Sequence, residues 1–283
     1  MKIYIDGKYY SRADARIPVF DHGLLYGDGV FEGIRIYNGN VFRLREHIER
    51  LYQSAKALYL KIPVSKDEME DAVLRTVEIN KKANGYIRLI VTRGEGPLGI
   101  DPFQCKRATV IIIVADIHLY PEEYYKKGIE IITASTRRMS SDCLDPRVKS
   151  LNYLNNVLAK IEARQAGCLE AIMLNRDGFV AECTGDNIFI VKDGELLTPS
   201  SYHGALDGIT MRTVMEIAES LGITTCETTL TRYDLYNADE CFLSGTGAEI
   251  VPVVKIDGRV TGSGSPGAIT KMIMKRFILI IQI

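Results

Sequence analysis

The sequence lacks any strong excess of charge. Its 35 lysines and arginines nearly balance 36 aspartates and glutamates, which gives a formal net charge of -1 at pH 7. No basic cluster stands out along the chain. Nucleic acids and anionic membranes are bound mainly through concentrated positive charge. The composition therefore argues against both kinds of partner and leaves neutral small molecules or locally steered anions open as ligands.

Long apolar runs and paired cysteine motifs are missing as well. The apolar stretch FILIIQI at 277–283 is far shorter than the roughly 20 residues that span a bilayer. The first ten residues alternate as a strand does and lack the apolar core of a signal peptide. The six cysteines form no CxxC pair and no metal-ligand spacing with the four histidines. We therefore expect no membrane segment, no metal site, and reduced thiols in the cytoplasm.

What the sequence contains is a succession of strand and helix patterns. At 283 residues it is long enough for one large domain or two ordinary ones. Residues 116–127 hold a proline and mixed charge and break the pattern. We predict a mixed α/β fold with a small N-terminal domain at 1–118, a linker at 119–127 and a large C-terminal domain at 128–283. Strands are predicted at 2–5, 30–37, 86–92, 109–114, 129–134, 170–174, 188–191, 241–243 and 250–256, and helices at 44–60, 65–82, 153–163, 210–221 and 266–280.

One lysine, Lys149, lies at a distinctive point in this succession. Asp145 and Pro146 interrupt the preceding structure, and a helical pattern resumes at Tyr153. Lys149 is therefore placed on an irregular segment that leads into an ordered helix. A lysine that forms a Schiff base must give up its proton, which partial burial or a nearby cation promotes. The local pattern alone favours an ordinary solvated lysine.

The segment RVKSLNYLNN at 147–156 resembles the lysine motif of the class IV aminotransferases, the pyridoxal-phosphate enzymes of fold type IV. Further segments resemble the same family in the same order, and together they cover roughly residues 3–270. The resemblance implies two domains, a small α/β sandwich-like domain and a larger pseudo-barrel domain. The other matching segments are VFDHGLLYGDGVFEGIR at 19–35, FRLREHIERL at 42–51, YIRLIVTRG at 86–94, GFVAECTGDNIF at 178–189, GALDGIT at 204–210 and FLSGTGAEIVPV at 242–253.

The resemblance implies that the cofactor is pyridoxal 5'-phosphate (PLP). Lys149 would hold the cofactor aldehyde and then carry a proton between substrate and cofactor. An opposing carboxylate, Glu182, would keep the ring nitrogen protonated. The phosphate would meet free amides at a helix start after Gly208. The remaining cofactor-binding residues are Arg50, Ile209, Thr210 and Thr246 at the phosphate, Tyr153 at the phenolic oxygen, and Leu206 against the ring.

The resemblance also implies the substrates, which are amino acids and 2-oxo acids. Tyr86, Arg88, Thr246 and Gly247 would handle carboxylates, and Tyr26 and Phe31 would shape an apolar pocket. Such a pocket separates neighbouring aliphatic side chains by only about 1 to 3 kcal/mol per methylene. The implied reaction therefore moves the amino group of L-leucine, L-isoleucine or L-valine to 2-oxoglutarate by a ping-pong cycle. A homodimer or higher assembly is implied, with loop 93–101 as the candidate contribution to a neighbour.

Two alternatives share this scaffold. The KSLN core at 149–152 is similar to the D-amino-acid aminotransferases, whereas YIRL at 86–89 and YGDGVFEGIR at 26–35 resemble the L-branched-chain enzymes. Aminodeoxychorismate lyase activity is the other reaction of the same fold. A more distant alternative is a non-catalytic protein that binds small molecules with the same fold.

Overall fold

A computed structural model describes residues 1–117 and 120–282. By its internal contacts the chain divides into two compact units. The first unit comprises Met1–Ile117 and Val148–Asn152, and the second comprises His118–Arg147 and Tyr153–Ile283. The first unit contains an antiparallel sheet, and the second unit contains a mixed sheet. The short stretch that carries Lys149 thus belongs with the first unit, although both of its chain neighbours belong to the second.

The first unit has a six-stranded sheet in the order β2-β1-β6-β5-β3-β4, in which every neighbouring pair is antiparallel. Helices α2 and α3 pack on it, and the buried residues of these elements form one hydrophobic cluster. The elements are β1 Lys2–Ile5, β2 Lys8–Ser11, α1 His22–Tyr26, β3 Gly29–Tyr37, β4 Asn40–Val41, α2 Leu44–Ala57, α3 Lys66–Asn80, β5 Gly85–Thr92 and β6 Thr109–Ala115.

Local sequence signals account for much of this unit. Asn38 and Gly39 both have positive φ, as the tight turn between β3 and β4 requires. Ser65 and Glu68 form a capping box, in which each side chain accepts a hydrogen bond from the backbone N–H of the other residue. Helix α2 buries Ile48, Leu51 and Ala55 at helical spacing.

The second unit has a nine-stranded sheet in the order β12-β11-β10-β13-β14-β7-β8-β9, with β15 beside β14. The pairs β11 with β12, β14 with β7, and β7 with β8 are parallel. The elements are α4 Glu122–Lys127, β7 Ile129–Thr133, α5 Leu154–Gln165, β8 Glu170–Leu174, β9 Val180–Cys183, β10 Asn187–Lys192, β11 Glu195–Pro199, α6 Ile209–Ser220, β12 Thr225–Thr228, α7 Arg232–Tyr236, β13 Glu240–Gly245, β14 Glu249–Ile256, β15 Arg259–Val260 and α8 Ala268–Ile281.

The region expected to be a linker contains a helix. Leu119 lies outside the described residues, but Glu122–Lys127 form helix α4. Its Tyr124 and Tyr125 pack against the hydrophobic cluster of the second unit. Helix α4 thus belongs to the second unit, with its two tyrosines half-buried against that cluster.

The longest apolar helix, α8, has 14 residues. Among residues 1–117 and 120–282, no helix combines the length and the hydropathy that crossing a membrane requires.

Candidate active site

The backbone around Lys149 is fixed to the sheet of the first unit. Ser150 forms an isolated antiparallel bridge with Val30 of β3. The Phe31 N–H donates to the Lys149 carbonyl at 3.0 Å, and the Leu151 N–H donates to the Gly29 carbonyl at 2.9 Å. The Lys149 N–H donates to the Ser54 hydroxyl of α2 at 3.1 Å. Hydrogen bonds to both β3 and α2 therefore hold this irregular segment in place.

The Lys149 side chain lies over an aromatic ring. Its Nζ is 4.6 Å from the centroid of the Phe31 ring. The Arg88 guanidinium lies 4.6 Å from the same centroid and 5.5 Å from the centroid of Tyr86. Distances below about 6 Å are those of cation–π contacts. Within the first unit, the structure thus brings together the predicted residues Lys149, Phe31, Tyr86 and Arg88.

A glycine makes room for the Tyr86 ring. Gly33 of β3 is paired with Arg88 of β5, two positions along the strands from the pair formed by Arg35 and Tyr86. A Cβ atom built on Gly33 would overlap the hydroxyl of Tyr86. Any larger residue at position 33 would therefore force the Tyr86 ring to shift.

Arg50 occurs in a buried charged group. Its Nε and Nη2 donate to the two carboxylate oxygens of Glu32 at 2.7 and 2.8 Å. His47 Nδ1 lies 2.8 Å from Glu32 Oε2 and must donate, since a carboxylate only accepts. Burial raises the pKa of Glu32, but Arg50 and then His47 outweigh it and hold that pKa well below its usual range. Burial lowers the pKa of His47, so it is neutral at pH 7 and Arg50 is the counter-charge of Glu32.

Tyr26 lies at the end of α1, where its hydroxyl donates to the Leu98 carbonyl. Its ring packs edge-on against His22, at 5.1 Å between centroids, and His22 Nε2 lies 2.9 Å from the Pro97 carbonyl. Tyr26 is thus connected to the loop at 93–101.

In the second unit, Glu182 lies on β9 with both of its carboxylate oxygens occupied. Oε1 is 2.6 Å from Nη2 of Arg138, and Oε2 accepts from the Leu206 N–H at 2.9 Å. The side chains of Glu182 and Arg138 are each only 8% exposed. A buried carboxylate is tolerated when it is paired and hydrogen-bonded. All four residues of β9 are buried, and the structure brings Glu182 together with Leu206.

Leu206 leads into the N-terminus of α6. The Asn187 amide donates to the Leu206 carbonyl at 2.9 Å. Gly208 is the N-cap residue and offers no side chain to the first amides of the helix, and its own Cβ would overlap Asn187 Oδ1. Helix starts of this kind attract anions, because their amides point outward and the helix dipole is positive there. Ile209 and Thr210 occupy the first two helical positions.

Thr246 and Gly247 form the turn between β13 and β14. Two residues before Thr246, the hydroxyl of Ser244 is fully buried and has no hydrogen-bond partner among the described residues. Tyr153, the last predicted contact of the cofactor, is the N-cap residue of α5 and is half-buried.

A buried acid lies beneath this turn. A Cβ on Gly245 would overlap Asp186, whose Oδ2 accepts from the Tyr120 hydroxyl at 3.1 Å. Burial first, and the charge of Glu170 second, raise the pKa of Asp186 to about 7. No motif in the sequence indicates Asp186 as a site residue.

Each unit therefore has groups that fit part of PLP. The first unit offers a fixed lysine beside aromatic and guanidinium groups. The second offers a buried carboxylate for the ring nitrogen, helix amides without a side-chain cap for a phosphate, and a buried hydroxyl that has no hydrogen-bond partner within residues 1–117 and 120–282. No cluster of His, Cys, Asp or Glu that could hold a metal occurs among the residues that the structure describes.

Several residues of this arrangement were missed in the sequence analysis. Arg138, Asn187, Glu32 and His47 all contact a predicted site residue or its direct partner. Glu32 could have been found, because it is a charged residue within the apolar strand run of β3. Arg138 gives no such signal, since it follows another arginine on an irregular segment.

The chain is similar to known proteins over nearly its whole length. The family model for amino-transferase class IV matches residues 29–256. A Methanocaldococcus jannaschii protein provisionally named a branched-chain-amino-acid aminotransferase is 54% identical over 277 residues, 98% of this chain and 95% of that protein. The D-alanine aminotransferase of Bacillus licheniformis is 38% identical, over 96% of this chain and 94% of its own length.

A solved structure is similar throughout. The branched-chain amino acid aminotransferase of Thermobaculum terrenum, crystallised in its PLP form, has a TM-score of 0.90 and 30% sequence identity. The likeness covers 99% of this chain and 94% of that one. The predicted mixed α/β architecture of fold type IV is thereby confirmed.

Proposed function

The chain belongs to the amino-transferase class IV family, and from that premise we propose that it transfers the amino group of L-leucine, L-isoleucine or L-valine to 2-oxoglutarate. Its cofactor is PLP. When bound, PLP supplies an electron sink that allows an amino group to leave one acid and join another. The proposal is supported by branched-chain aminotransferases among both the relatives and the solved structures.

The observation that carries the proposal is the way in which Lys149 is held. Three hydrogen bonds fix the backbone of residues 149–151 to β3 and α2, so Nζ extends from a rigid base. A group that must bond covalently and then move a proton needs this accuracy of placement. We assign to Lys149 Nζ both the covalent attachment of the cofactor and, once freed, acceptance of the proton from the substrate α-carbon.

The other proposed roles divide between binding and orientation. Glu182 holds a proton at the ring nitrogen by accepting a hydrogen bond from it. The amides of Ile209 and Thr210 and the hydroxyl of Thr246 bind the phosphate, and Arg50 adds a charged donor. Tyr153 contacts the phenolic oxygen and Leu206 packs on the ring.

The proposed substrate range follows from the residues near Lys149. Phe31 gives an apolar wall that suits an aliphatic side chain, and Tyr26 completes that pocket. Arg88 binds a carboxylate of 2-oxoglutarate or glutamate, with Tyr86 and the backbone of Thr246 and Gly247 on the other carboxylate. The Arg88 guanidinium is held against two aromatic rings, which fixes a side chain that would otherwise be mobile.

We also propose a homodimer or higher assembly, in the cytoplasm. Helix α5 exposes an apolar stripe of Leu154, Val157, Leu158 and Ile161, each between 46% and 77% exposed. Contiguous exposed apolar surface of this kind typically marks an interface. Loop 93–101, with Leu98 and Ile100 exposed, is the candidate contribution to a neighbouring copy. All six cysteines are free, as expected in a reducing compartment.

A donor panel tests the reaction. Purified protein saturated with PLP is given L-leucine, L-isoleucine, L-valine or D-alanine separately with 2-oxoglutarate, and glutamate is measured by chiral chromatography. We expect L-glutamate from the three L-donors and none from D-alanine. Turnover of D-alanine alone would reject the substrate assignment while leaving the family intact.

D-amino-acid transamination is the second candidate because two observations favour it. The KSLN core at 149–152 resembles that branch, and the D-alanine aminotransferase of Bacillus licheniformis is 38% identical to this chain. In the same assay, this candidate requires D-glutamate as the product.

A further inference from the structure

We propose that Arg138 is a positioning residue, which acts on the cofactor ring nitrogen only through Glu182. The inference rests on the proposed function, because it takes Glu182 as the partner of that nitrogen. It assigns a role to a side chain that neither the motifs nor the family resemblance selected.

All three guanidinium nitrogens of Arg138 have partners in the protein. Nη2 lies 2.6 Å from Glu182 Oε1, Nη1 donates to Asn156 Oδ1 at 2.8 Å, and Nε donates to the Gly204 carbonyl at 3.0 Å. The guanidinium is planar and its donors point in fixed directions. One rigid group therefore links strand β9, helix α5 and the loop that precedes α6.

These contacts fix the orientation of the Glu182 carboxylate. Arg138 holds Oε1, and the Leu206 N–H holds Oε2 from the same loop that Arg138 anchors at Gly204. Rotation of the carboxylate would break both bonds. Each oxygen still has a second lone pair, so Glu182 can accept a hydrogen bond from a ring N–H without losing either partner.

A second layer holds Arg138 itself. The Asn156 amide nitrogen donates to the Thr184 carbonyl at 2.8 Å while its oxygen accepts from Arg138. The backbone N–H of Arg138 donates to the Leu174 carbonyl at 2.8 Å. Asn156 and Arg138 are both buried. The guanidinium is thus placed before any ligand arrives, which is what orientation of Glu182 requires.

A purely structural role makes a different prediction. If Arg138 served only to join α5, β9 and the 204–206 loop, its loss would weaken binding of any ligand of the site by the same factor. If it acts through Glu182, its loss matters only for a ligand whose ring nitrogen Glu182 can engage.

The test compares PLP with 1-deaza-PLP, in which a carbon replaces the ring nitrogen. Dissociation constants are measured by fluorescence titration of the full-length apoprotein for wild type, Arg138→Met, Glu182→Gln and the double variant. The control is Lys160→Met, which removes the 2.8 Å partner of another buried carboxylate, Glu170, in the same unit. Arg138→Lys is included because it keeps the charge and is expected to fold if Arg138→Met does not.

We expect Arg138→Met to weaken PLP binding by about 10- to 100-fold, the range for one lost charged hydrogen bond. Binding of 1-deaza-PLP should change by less than about threefold, and the double variant should be no weaker than Glu182→Gln alone. Arg138→Lys should lie between wild type and Arg138→Met, and Lys160→Met should leave the ratio of the two affinities unchanged.

Equal weakening of both ligands, or no change in either, would overturn the inference. Failure of the proposed function is read from other results: a wrong substrate assignment appears in the donor panel and leaves these affinities unchanged, and a wrong role for the cofactor would leave wild-type protein binding neither PLP nor its analogue.

Discussion

Replacement of Glu32 by glutamine tests the buried charged group of the first unit. Glu32 is completely buried, and it receives three hydrogen bonds, two from Arg50 and one from His47. Glutamine has nearly the same shape but no charge. The change therefore leaves the Arg50 guanidinium, which is only 11% exposed, without its counter-charge.

The expected loss of stability is large. Removal of one partner from a buried ion pair costs about 3 to 5 kcal/mol, because the other charge stays buried and uncompensated. An exposed pair is worth only about 0 to 1 kcal/mol. The pair between Lys127 and Glu123, whose side chains are 74% and 56% exposed, is the matched control. We expect Glu123→Gln to have the wild-type free energy of unfolding within about 1 kcal/mol.

The assay is urea unfolding at pH 7, followed by circular dichroism. Glu32→Gln should lower the free energy of unfolding by about 3 to 5 kcal/mol with little change in the denaturant slope. Adding Arg50→Met should recover at least about 1 kcal/mol, because it removes the uncompensated charge.

The stabilisation of the fold by Glu32 depends on pH. The folded-state pKa of Glu32 lies below its ordinary value of 4.5. Its stabilisation is therefore present above about pH 4.5 and is lost as the pH falls toward the folded-state pKa. The gap between wild type and Glu32→Gln should narrow in acid. A Glu32→Gln protein as stable at pH 7 as Glu123→Gln would refute the reasoning.

Two further predictions concern other buried positions. Gly33→Ala should shift the Tyr86 ring, since the new Cβ overlaps the Tyr86 hydroxyl. We expect the KM for 2-oxoglutarate to rise at least about tenfold. An unchanged KM would show that Tyr86 does not bind this substrate. Asp186→Asn should raise the melting temperature relative to wild type at pH 8 but not at pH 4. The raised pKa of Asp186 gives stability that is complete below about pH 3.8 and is lost as the pH rises through about 7, whereas asparagine does not ionise. A pH-independent difference would contradict this second prediction.

Elements with strong local signals could be predicted from the sequence. Strand β1 has the predicted bounds. Ser65 with Glu68 and Asn38 with Gly39 are residue pairs typical of a capping box and of a tight turn, and the structure has both. In each case, neighbouring residues alone specify the geometry. Helix α4 was missed because six residues with a proline ahead of them carry little periodicity, and its packing against distant strands stabilises it.

The candidate site residues also divide into those that local motifs select and those whose contacts depend on distant parts of the chain. Motifs select Lys149 and Glu182 as candidates, but no motif indicates the structural unit to which Lys149 belongs, because its attachment to β3 joins residues far apart in the chain. The partnership of Arg138 with Glu182 also spans separate elements. No local pattern specifies which of two adjacent arginines turns inward.

The most direct test of the central claim is chemical labelling of the lysine. Protein saturated with PLP is reduced with borohydride and digested, and the peptides are mapped by mass spectrometry. We predict a single pyridoxyl group, carried by Lys149, and none on a Lys149→Ala variant. A label on another lysine, or no label at all, would contradict the account.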